Sequence, residues 1–313
     1  MGAMLARHGA EVSFIARGKH LEAMQKGGLQ LHSDTGEDWS VAVPATDKAS
    51  DLCPQDVVFV CVKSHQIESA LANITPLLKD DTMVVFSING LPWWYFQKEG
   101  GRFDGRTLKS LDAEGAILSA IHPDRVVGCA NYLAATITAP GHIHYVNIMD
   151  PAFVIGEIDH SESDRVNQLA ALCRAAGMPP KVSTNIRTEV WNKLWANIAF
   201  NPVTALTHAT MDRVVEEYDD TDLILAIMNE ARFIGEKLGI EFRSTPRERI
   251  AGAARMRGHK TSMLQDIEAG RPTEIKAIVG AVREIGTWLE ESTPHLNGLY
   301  SLVRLKEKFY RND

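Results

Sequence analysis

Residues 56–62 (DVVFVCV) and 82–88 (TMVVFSI) are short, almost uninterrupted apolar runs. This composition is typical of strands that are buried on both faces, as in a parallel sheet. The intervening residues 65–78 have the apolar spacing of a helix. Strand, helix and strand in this order form a βαβ unit, which is the building block of doubly wound sheets. The sequence therefore predicts an α/β fold.

The rest of the first half supports the same prediction and adds a different element. Residues 11–16 (EVSFIA) are predicted to form another strand, and residues 164–176 a helix that ends before Gly177 and Pro179-Pro180. Between residues 125 and 157 two β-rich runs flank the turn sequence Ala139-Pro140-Gly141. We expect this hairpin to be an antiparallel addition to the sheet.

After about residue 184 the strand signals stop. Five segments have helical spacing: residues 187–200, 222–238, 261–269, 272–291 and 296–310. The sequence therefore predicts a Rossmann-like, doubly wound domain over residues 1–183 and an all-helical domain over residues 184–313. The cleft between two such domains is the usual place for a small-molecule site.

Composition excludes several classes of protein. The chain has 313 residues, of which 45% are apolar and 23% charged, as in soluble globular domains. The net charge of −7 argues against a protein that coats nucleic acid or anionic lipid. No apolar run approaches 18 residues, and no signal peptide is recognisable at the first residues. Four cysteines without CxxC spacing are interpreted as reduced packing residues of a cytoplasmic protein.

One helix carries a polar stripe. Lys193, Asn197 and Asn201 are spaced four residues apart, so they lie along one side of the predicted helix. Asparagine is a poor residue for a helix interior, because its side chain competes for the backbone. The stripe is either a solvated polar face, or it faces a cleft with a cationic acid beside two amide groups.

A second group lies between residues 261 and 274. Gly270 ends a short helix, and Pro272 suits the first turn of the next one. Glu274 would then lie near the third helical position, where a carboxylate interacts favourably with the free N–H groups. Glu274 is therefore explained either as a stabilising helix residue or as a site residue, and Ser262 either as a helix cap or as a site residue.

Polar residues follow three predicted strands. Arg17, Lys63 and Asn89-Gly90 come directly after residues 16, 62 and 88. In open α/β sheets, ligands bind outside the carboxyl ends of the strands. A cation such as Arg17 at the end of the second strand suits the 2′-phosphate of NADP, whereas NAD-selective folds usually have a carboxylate there.

Two further features are weaker. His142 and His144 share a strand face but have no third ligand spaced nearby, so no metal site is predicted. Trp93-Trp94-Tyr95 is predicted to be a packed loop rather than a stacking platform.

The chain resembles the ketopantoate reductase (2-dehydropantoate 2-reductase) family from residue 2 to about residue 310. The resemblance is carried by Ala16-Arg17, Val62-Lys63, Asn89-Gly90, Ala139-Pro140-Gly141, the block Trp191-x-Lys193-Leu194-x-x-Asn197-x-x-x-Asn201-Pro202, and Ser262-Met263-Leu264-Gln265-Asp266 with Thr273-Glu274. The last two blocks are specific to the family, whereas the earlier ones are generic.

The resemblance implies roles for these residues. Lys193 matches the general acid and Glu274 the carboxylate at the substrate. Substrate-binding positions are matched by Asn89, Asn197, Asn201 and Ser262. Lys63 and Asn89 match residues beside the nicotinamide, and Arg17 matches the contact to the 2′-phosphate, so the implied cofactor is NADP(H). The implied partner is a small 2-oxo acid, and the implied assembly a homodimer.

The chain departs from the family pattern at its start. Such proteins open with a strand that runs into GxGxxG, whereas residues 1–9 here match the helix that follows that loop. We expect either an N-terminally shortened version of a longer protein or impaired cofactor binding.

The expected activity is NADPH-dependent reduction of 2-dehydropantoate to pantoate, a step of pantothenate biosynthesis. Two alternatives remain open: a reductase that acts on another oxo acid, and a nucleotide-sensing protein without turnover.

Overall fold

The structure is a computed structural model that describes residues 1–34, 38–146, 151–216 and 222–310. The strands are β1 (Phe14–Ile15), β2 (Leu29–Ser33), β3 (Trp39–Val41), β4 (Ala45–Thr46), β5 (Gln55–Val60), β6 (Leu78–Phe86), β7 (Val126–Asn131), β8 (Ala135–Ala139), β9 (His142–Tyr145), β10 (Phe153–Glu157) and β11 (Pro180–Val182). The helices are α1 (Gly2–Arg7), α2 (Gly18–Gly27), α3 (Ile67–Ile74), α4 (Ala116–Ala120), α5 (Asp164–Ala175), α6 (Ile186–Thr207), α7 (Met211–Glu216), α8 (Asp222–Lys237), α9 (Pro246–Ala254), α10 (Ser262–Glu268), α11 (Ala281–Trp288) and α12 (Pro294–Tyr310).

The central sheet has the strand order β11-β10-β7-β6-β5. Strands β5, β6 and β7 are parallel, β10 is antiparallel to β7, and β11 is parallel to β10. The predicted α/β fold of the first half is therefore confirmed. Strand β1 pairs in parallel with β4 in a separate two-stranded ladder.

The elements of the βαβ unit differ in their bounds from the prediction: β5 and α3 are shorter, whereas β6 begins earlier and is longer. Strand β5 ends at Val60, because the last ladder bond there runs from Ser87 N to Val60 O. The chain then turns, with Lys63 N donating to Gln66 Oε1 before α3 begins. Helix α3 ends at Ile74 because Pro76 follows, and Pro cannot donate a backbone hydrogen bond.

The expected position of the hairpin was wrong. Strands β8 and β9 do form a hairpin at Gly141, but β9 pairs with β2, so the hairpin belongs to a four-stranded sheet of order β3-β2-β9-β8. Apolar alternation does not specify which edge a strand joins, since partner choice depends on tertiary packing. The antiparallel addition to the central sheet is β10 instead.

Both faces of the central sheet are covered. On one face, Leu5 of α1 and Val166 and Leu169 of α5 cluster with Val85 and Val127 of the sheet. On the other face, α3, α6 and residues 91–96 form part of the main core, which continues into the helical half. This three-layer arrangement explains why β6 and β7 are apolar on both sides.

Trp93, Trp94 and Tyr95 belong to that core. All three are at most 2% exposed, which confirms the predicted packed loop. Trp93 packs edge-on against Phe86 at 5.7 Å between ring centroids. A Cβ atom on Gly128 would lie 2.9 Å from Trp94 Cη2, so the absence of a side chain there makes room for the ring.

The cysteines were only partly predicted correctly. Cys129 and Cys173 are buried packing residues, but Cys53 and Cys61 are exposed, and all four are free thiols. Cys61 was expected inside a strand and instead follows the end of β5. Within the described ranges, no helix is long and apolar enough to cross a membrane.

The second half is helical, as predicted, but two helices were missed. Helix α9 begins with a capping box in which Thr245 and Glu248 satisfy each other's backbone amides, and this T-x-x-E signal is readable in the sequence. Helix α7 has only six residues, too few for a periodic pattern.

The predicted helix over residues 272–291 begins later than expected. A π-helical turn at Lys276–Gly280 runs directly into α11, and Pro272 and Glu274 precede the helical residues. Single π-helical turns occur often at functional sites.

A buried arginine joins the start of α6 to the α/β half. Arg187 is 4% exposed, and its guanidinium donates to the carbonyl oxygens of Tyr95 at 2.6 Å, Ile158 at 2.5 Å and Gln97 at 2.7 Å. Charge-assisted hydrogen bonds of this kind are stronger than those between neutral groups. Arg187 therefore fixes the position of the helix that carries Lys193.

We predict that Arg187→Leu lowers the free energy of unfolding by about 3 kcal/mol or more, because three carbonyl oxygens lose their donor. Urea denaturation measures the change. The matched substitution Arg174→Leu, at an exposed position of α5, should stay within about 0.5 kcal/mol. Equal effects of the two substitutions would contradict this role of Arg187.

Candidate active site

Lys193 projects from α6 toward the end of β6. Its Nζ donates to Asn89 Oδ1 at 2.8 Å. Burial lowers the pKa of Lys193 to about 8, although nearby Cys129 and Glu274 favour the charged form. A lysine with such a pKa holds a proton at neutral pH and can release it readily.

Glu274 lies two residues before the π-helical turn and is 4% exposed. Its Oε1 accepts from Ser64 N at 2.9 Å, and its Oε2 accepts from Asn89 Nδ2 at 3.4 Å. Lys63 Nζ lies 3.5 Å from the same Oε2. The expected position near the third helical residue was wrong, because the helical residues begin only at Ile275. The side chain of Glu274 contacts the α/β half, as the alternative explanation of a site residue requires.

Lys63 connects the same two parts of the chain. Its Nζ donates to Asp266 Oδ2 at 2.7 Å, and Arg271 Nε donates to Asp266 Oδ1 at 3.1 Å. Asp266 is 3% exposed, and the sequence analysis gave it no role. The signal was present, since Asp266 lies four residues after Ser262 on α10 and therefore on the same helix face.

The stripe on α6 borders a cavity. Lys193 and Asn197 line it together with Cys129, Gly90 and apolar side chains, and its volume of about 10 Å³ is enough for one water molecule. The interpretation of the stripe as a solvated face is therefore wrong for Lys193 and Asn197. Lys193 and Asn197 are half-buried, whereas Asn201 is buried and does not line this cavity.

Ser262 is not the cap of α10. The cap is Thr261, whose hydroxyl accepts from Leu264 N at 3.3 Å. The side chains of Ser262, Asn197 and Asn201 have no hydrogen-bond partner among the residues that the structure describes. Ser262 and Asn197 are half-buried and Asn201 is buried, and polar groups in such positions without partners are available to a ligand.

Gly90 holds Asn89 in place. Its φ is +82°, and a Cβ there would lie 2.6 Å from Ala277 O, so only glycine fits. The next residue, Leu91, donates its N–H to Ala277 O at 2.9 Å. The backbone after β6 thus docks directly on the π-helical turn that follows Glu274.

Three residues offer cationic or amide groups at strand ends, where a nicotinamide dinucleotide binds in this class of sheet. Lys63 and Asn89 meet at Glu274, as described above. Arg17 follows β1 and is exposed, and its guanidinium has no partner within the described residues. These side chains fit a phosphorylated dinucleotide, although the sequence contains no GxGxxG.

The histidines on β9 form a separate group. His142 Nδ1 lies 3.0 Å from His32 Nε2 on the adjacent strand, and His144 Nε2 lies 2.7 Å from Asp34 Oδ1. In the described parts of the chain, no three His, Cys, Asp or Glu side chains are arranged to hold a metal ion.

A Rossmann-like sheet, a helical second half and a half-buried lysine of lowered pKa between them define a nicotinamide-dependent oxidoreductase. Residues 1–160 match the profile of the family described as ketopantoate reductase PanE/ApbA, and residues 185–307 match its C-terminal part. The chain belongs to the ketopantoate reductase family.

Individual relatives agree with this assignment. The chain is 44% identical to a 2-dehydropantoate 2-reductase of Mesorhizobium japonicum over 94% of this chain and 89% of that protein. A solved structure from Ralstonia solanacearum, assigned to the ketopantoate reductases, is 38% identical with a TM-score of 0.92 and covers 98% of this chain and 93% of its own. D-mandelate dehydrogenase in complex with NADH and anilino(oxo)acetate shares the fold at 22% identity, with a TM-score of 0.81 over 99% of this chain and 94% of its own.

We predict that the Lys193 amino group titrates near pH 8, and that Glu274→Gln lowers this pKa further. The carboxylate favours the ammonium form, so its removal leaves desolvation less opposed. Nitrogen-15 NMR of the lysine side chains measures both values, with Lys193→Ala to assign the signal. A Lys193 pKa that is unchanged or higher in Glu274→Gln would contradict the electrostatic coupling.

Proposed function

We propose that the protein reduces 2-dehydropantoate to pantoate with NADPH. The observation that carries this proposal is the buried Lys193 ammonium, which is hydrogen-bonded to Asn89 while Asn89 also contacts Glu274. The relative from Mesorhizobium japonicum, which carries the name 2-dehydropantoate 2-reductase, supports the choice of substrate.

Reduction of a ketone adds a hydride to carbon and a proton to oxygen. The reduced nicotinamide, when bound, supplies the hydride. As negative charge develops on the ketone oxygen, the Lys193 ammonium stabilises it and donates the proton. Because burial lowers the pKa of Lys193, it releases its proton more readily than an exposed lysine does. Lys193 then regains a proton from solvent.

Asn89 and Glu274 orient this acid. Asn89 Oδ1 accepts from Lys193, and its Nδ2 faces Glu274, so the amide holds the ammonium at one position. Glu274 keeps negative charge near the ammonium and limits the fall in its pKa. We assign Glu274 to substrate positioning as well, because it lies beside the same amide.

The unpartnered polar side chains are assigned to the substrate. Asn197 and Asn201 follow Lys193 along α6, and Ser262 begins α10. Amide and hydroxyl groups of this kind suit the carboxylate and hydroxyl groups of a 2-oxo acid. Asn89 is assigned to both the substrate and the nicotinamide.

The cofactor assignment rests on two cations. Arg17, exposed and unpartnered among the described residues, is assigned to the 2′-phosphate. Lys63 is assigned to the cofactor as well, although it pairs with Asp266 in this structure.

A different oxo acid is the second candidate substrate. The cavity beside Lys193 has an apolar wall formed by Ile88, Pro92, Val190 and Leu194. Apolar surfaces discriminate only weakly between the hydrocarbon groups that contact them, although this cavity itself, at about 10 Å³, has room for one water molecule. Steady-state rates on a panel of 2-oxo acids separate the two candidates.

We also infer a division into domains at residues 183 and 184, because β11 ends at Val182 and α6 begins at Ile186. A homodimer is supported by an exposed apolar stripe on α12 formed by Leu302, Leu305 and Phe309. Free thiols support a cytoplasmic location. Light scattering of the purified protein measures the assembly state.

We predict that Lys193→Ala lowers kcat on 2-dehydropantoate by about 10²–10⁴, the usual contribution of a general acid. Glu274→Ala should mainly raise KM, and Ser262→Ala should do the same more weakly. The control Lys48→Ala removes an exposed lysine and should leave kcat within about twofold. A Lys193→Ala enzyme within twofold of the original kcat would rule out the assignment.

For Arg17→Ala we expect NADPH affinity to fall by about 1.5–3 kcal/mol while NADH affinity barely changes, because only NADPH carries the 2′-phosphate. Fluorescence titration with each cofactor measures this selectivity. Lys19→Ala, which removes an exposed cation two residues later, is the matched control. Equal losses for both cofactors would show that Arg17 does not contact the phosphate.

A further inference from the structure

A groove of about 750 Å³ lies between the α/β half and the helical half, away from the Lys193 cavity. Its walls come from the start of α3, the loop before α4, the residues around the π-helical turn, and the last turns of α12. This volume is within the range of small-molecule sites, which runs from about 300 to 1,000 Å³. Lys193, Asn197 and Ser262 do not line it.

The groove is cationic, although the chain has a net charge of −7. Four permanent cations line it: Lys109, Lys276, Arg304 and Lys308. Two carboxylates, those of Glu68 and Glu307, line it as well. The three lysines are exposed and form no ion pair within the described ranges. They come from three different elements, so they are brought together only by the tertiary fold.

The carboxylates neutralise this charge only in part. Glu307 Oε1 accepts from Thr273 N at 2.7 Å and from Thr273 Oγ1 at 2.6 Å, and its other oxygen is 4.0 Å from Arg304 Nε. Glu307 therefore fixes the position of one wall and leaves the lysine ammonium groups without a partner. Cations that converge on a concave surface attract anions more strongly than the same cations on a flat one.

The loop on the opposite wall is held rigidly. Lys109 N and Ser110 N both donate to the Glu284 carboxylate of α11 at 2.8 Å. Ser110 also lines the groove, and its buried Oγ has no hydrogen-bond partner among the described residues. An anchored loop presents its lysine and its hydroxyl at low entropic cost, as preformed binding sites do.

We propose that this groove is a second ligand site, which binds a compact anion with two or more negative charges, of the phosphate or polycarboxylate class. The anion would contact Lys109 from the α/β half together with Lys276 and Lys308 from the helical half. Ser64 and Thr273 line the groove. Ser64 N also donates to Glu274, and Thr273 is the residue before Glu274. Occupation of the groove therefore holds together the two parts of the chain that form the active site.

The test is isothermal titration calorimetry of the full chain at low ionic strength, with inorganic pyrophosphate in one arm and citrate in the other. We expect saturable binding of at least one probe, and the tighter one identifies the class of anion. The double variant Lys109→Gln/Lys276→Gln should weaken that binding about tenfold or more. Thermal unfolding checks that the variant is folded.

The matched control is Lys48→Gln/Arg174→Gln, which removes two exposed cations from other surfaces and changes the net charge equally. Its affinity should stay within about twofold of the unmodified chain. The proposal is overturned if neither probe binds, if the lysine double variant binds as tightly as the unmodified chain, or if the control loses as much affinity as the lysine variant.

Discussion

The site depends on the side-chain amide of Asn89. Lysine can only donate and a carboxylate can only accept, so the amide must turn its oxygen to Lys193 and its nitrogen to Glu274. The three residues come from the end of β6, from the middle of α6 and from the start of the π-helical turn. One amide therefore sets the relative position of the α/β half and the helical half at the reacting centre.

Several contacts besides Asn89 also hold the α/β half and the helical half in this relative position. Gly90 allows Leu91 N to reach Ala277 O, and Ser64 N holds Glu274 from the next strand end. Arg187 anchors the start of α6 to three carbonyl oxygens. A buried ammonium is unfavourable without partners, so this scaffold is needed to keep Lys193 desolvated and still charged. Its lowered pKa is the consequence.

Much of this could be predicted from the sequence, where local spacing carries the information. The four-residue spacing of Lys193, Asn197 and Asn201 placed them on one side of a helix, and apolar runs located β5 and β6. Features that depend on distant partners were missed. The pairing of β9 with β2, the reach of Glu274 to Ser64, and the contact of Lys63 with Asp266 each join segments that are far apart in the chain.

The central claim is that protonated Lys193 is the acid, and the pH dependence of kcat/KM on 2-dehydropantoate tests it most directly. Only the ammonium form can donate, and the Lys193 pKa is about 8, so kcat/KM should fall as pH rises through about 8. In Lys193→Ala the residual activity should lack this alkaline limb. A flat profile up to about pH 10 in the unmodified protein, or the same limb retained in Lys193→Ala, would contradict the account.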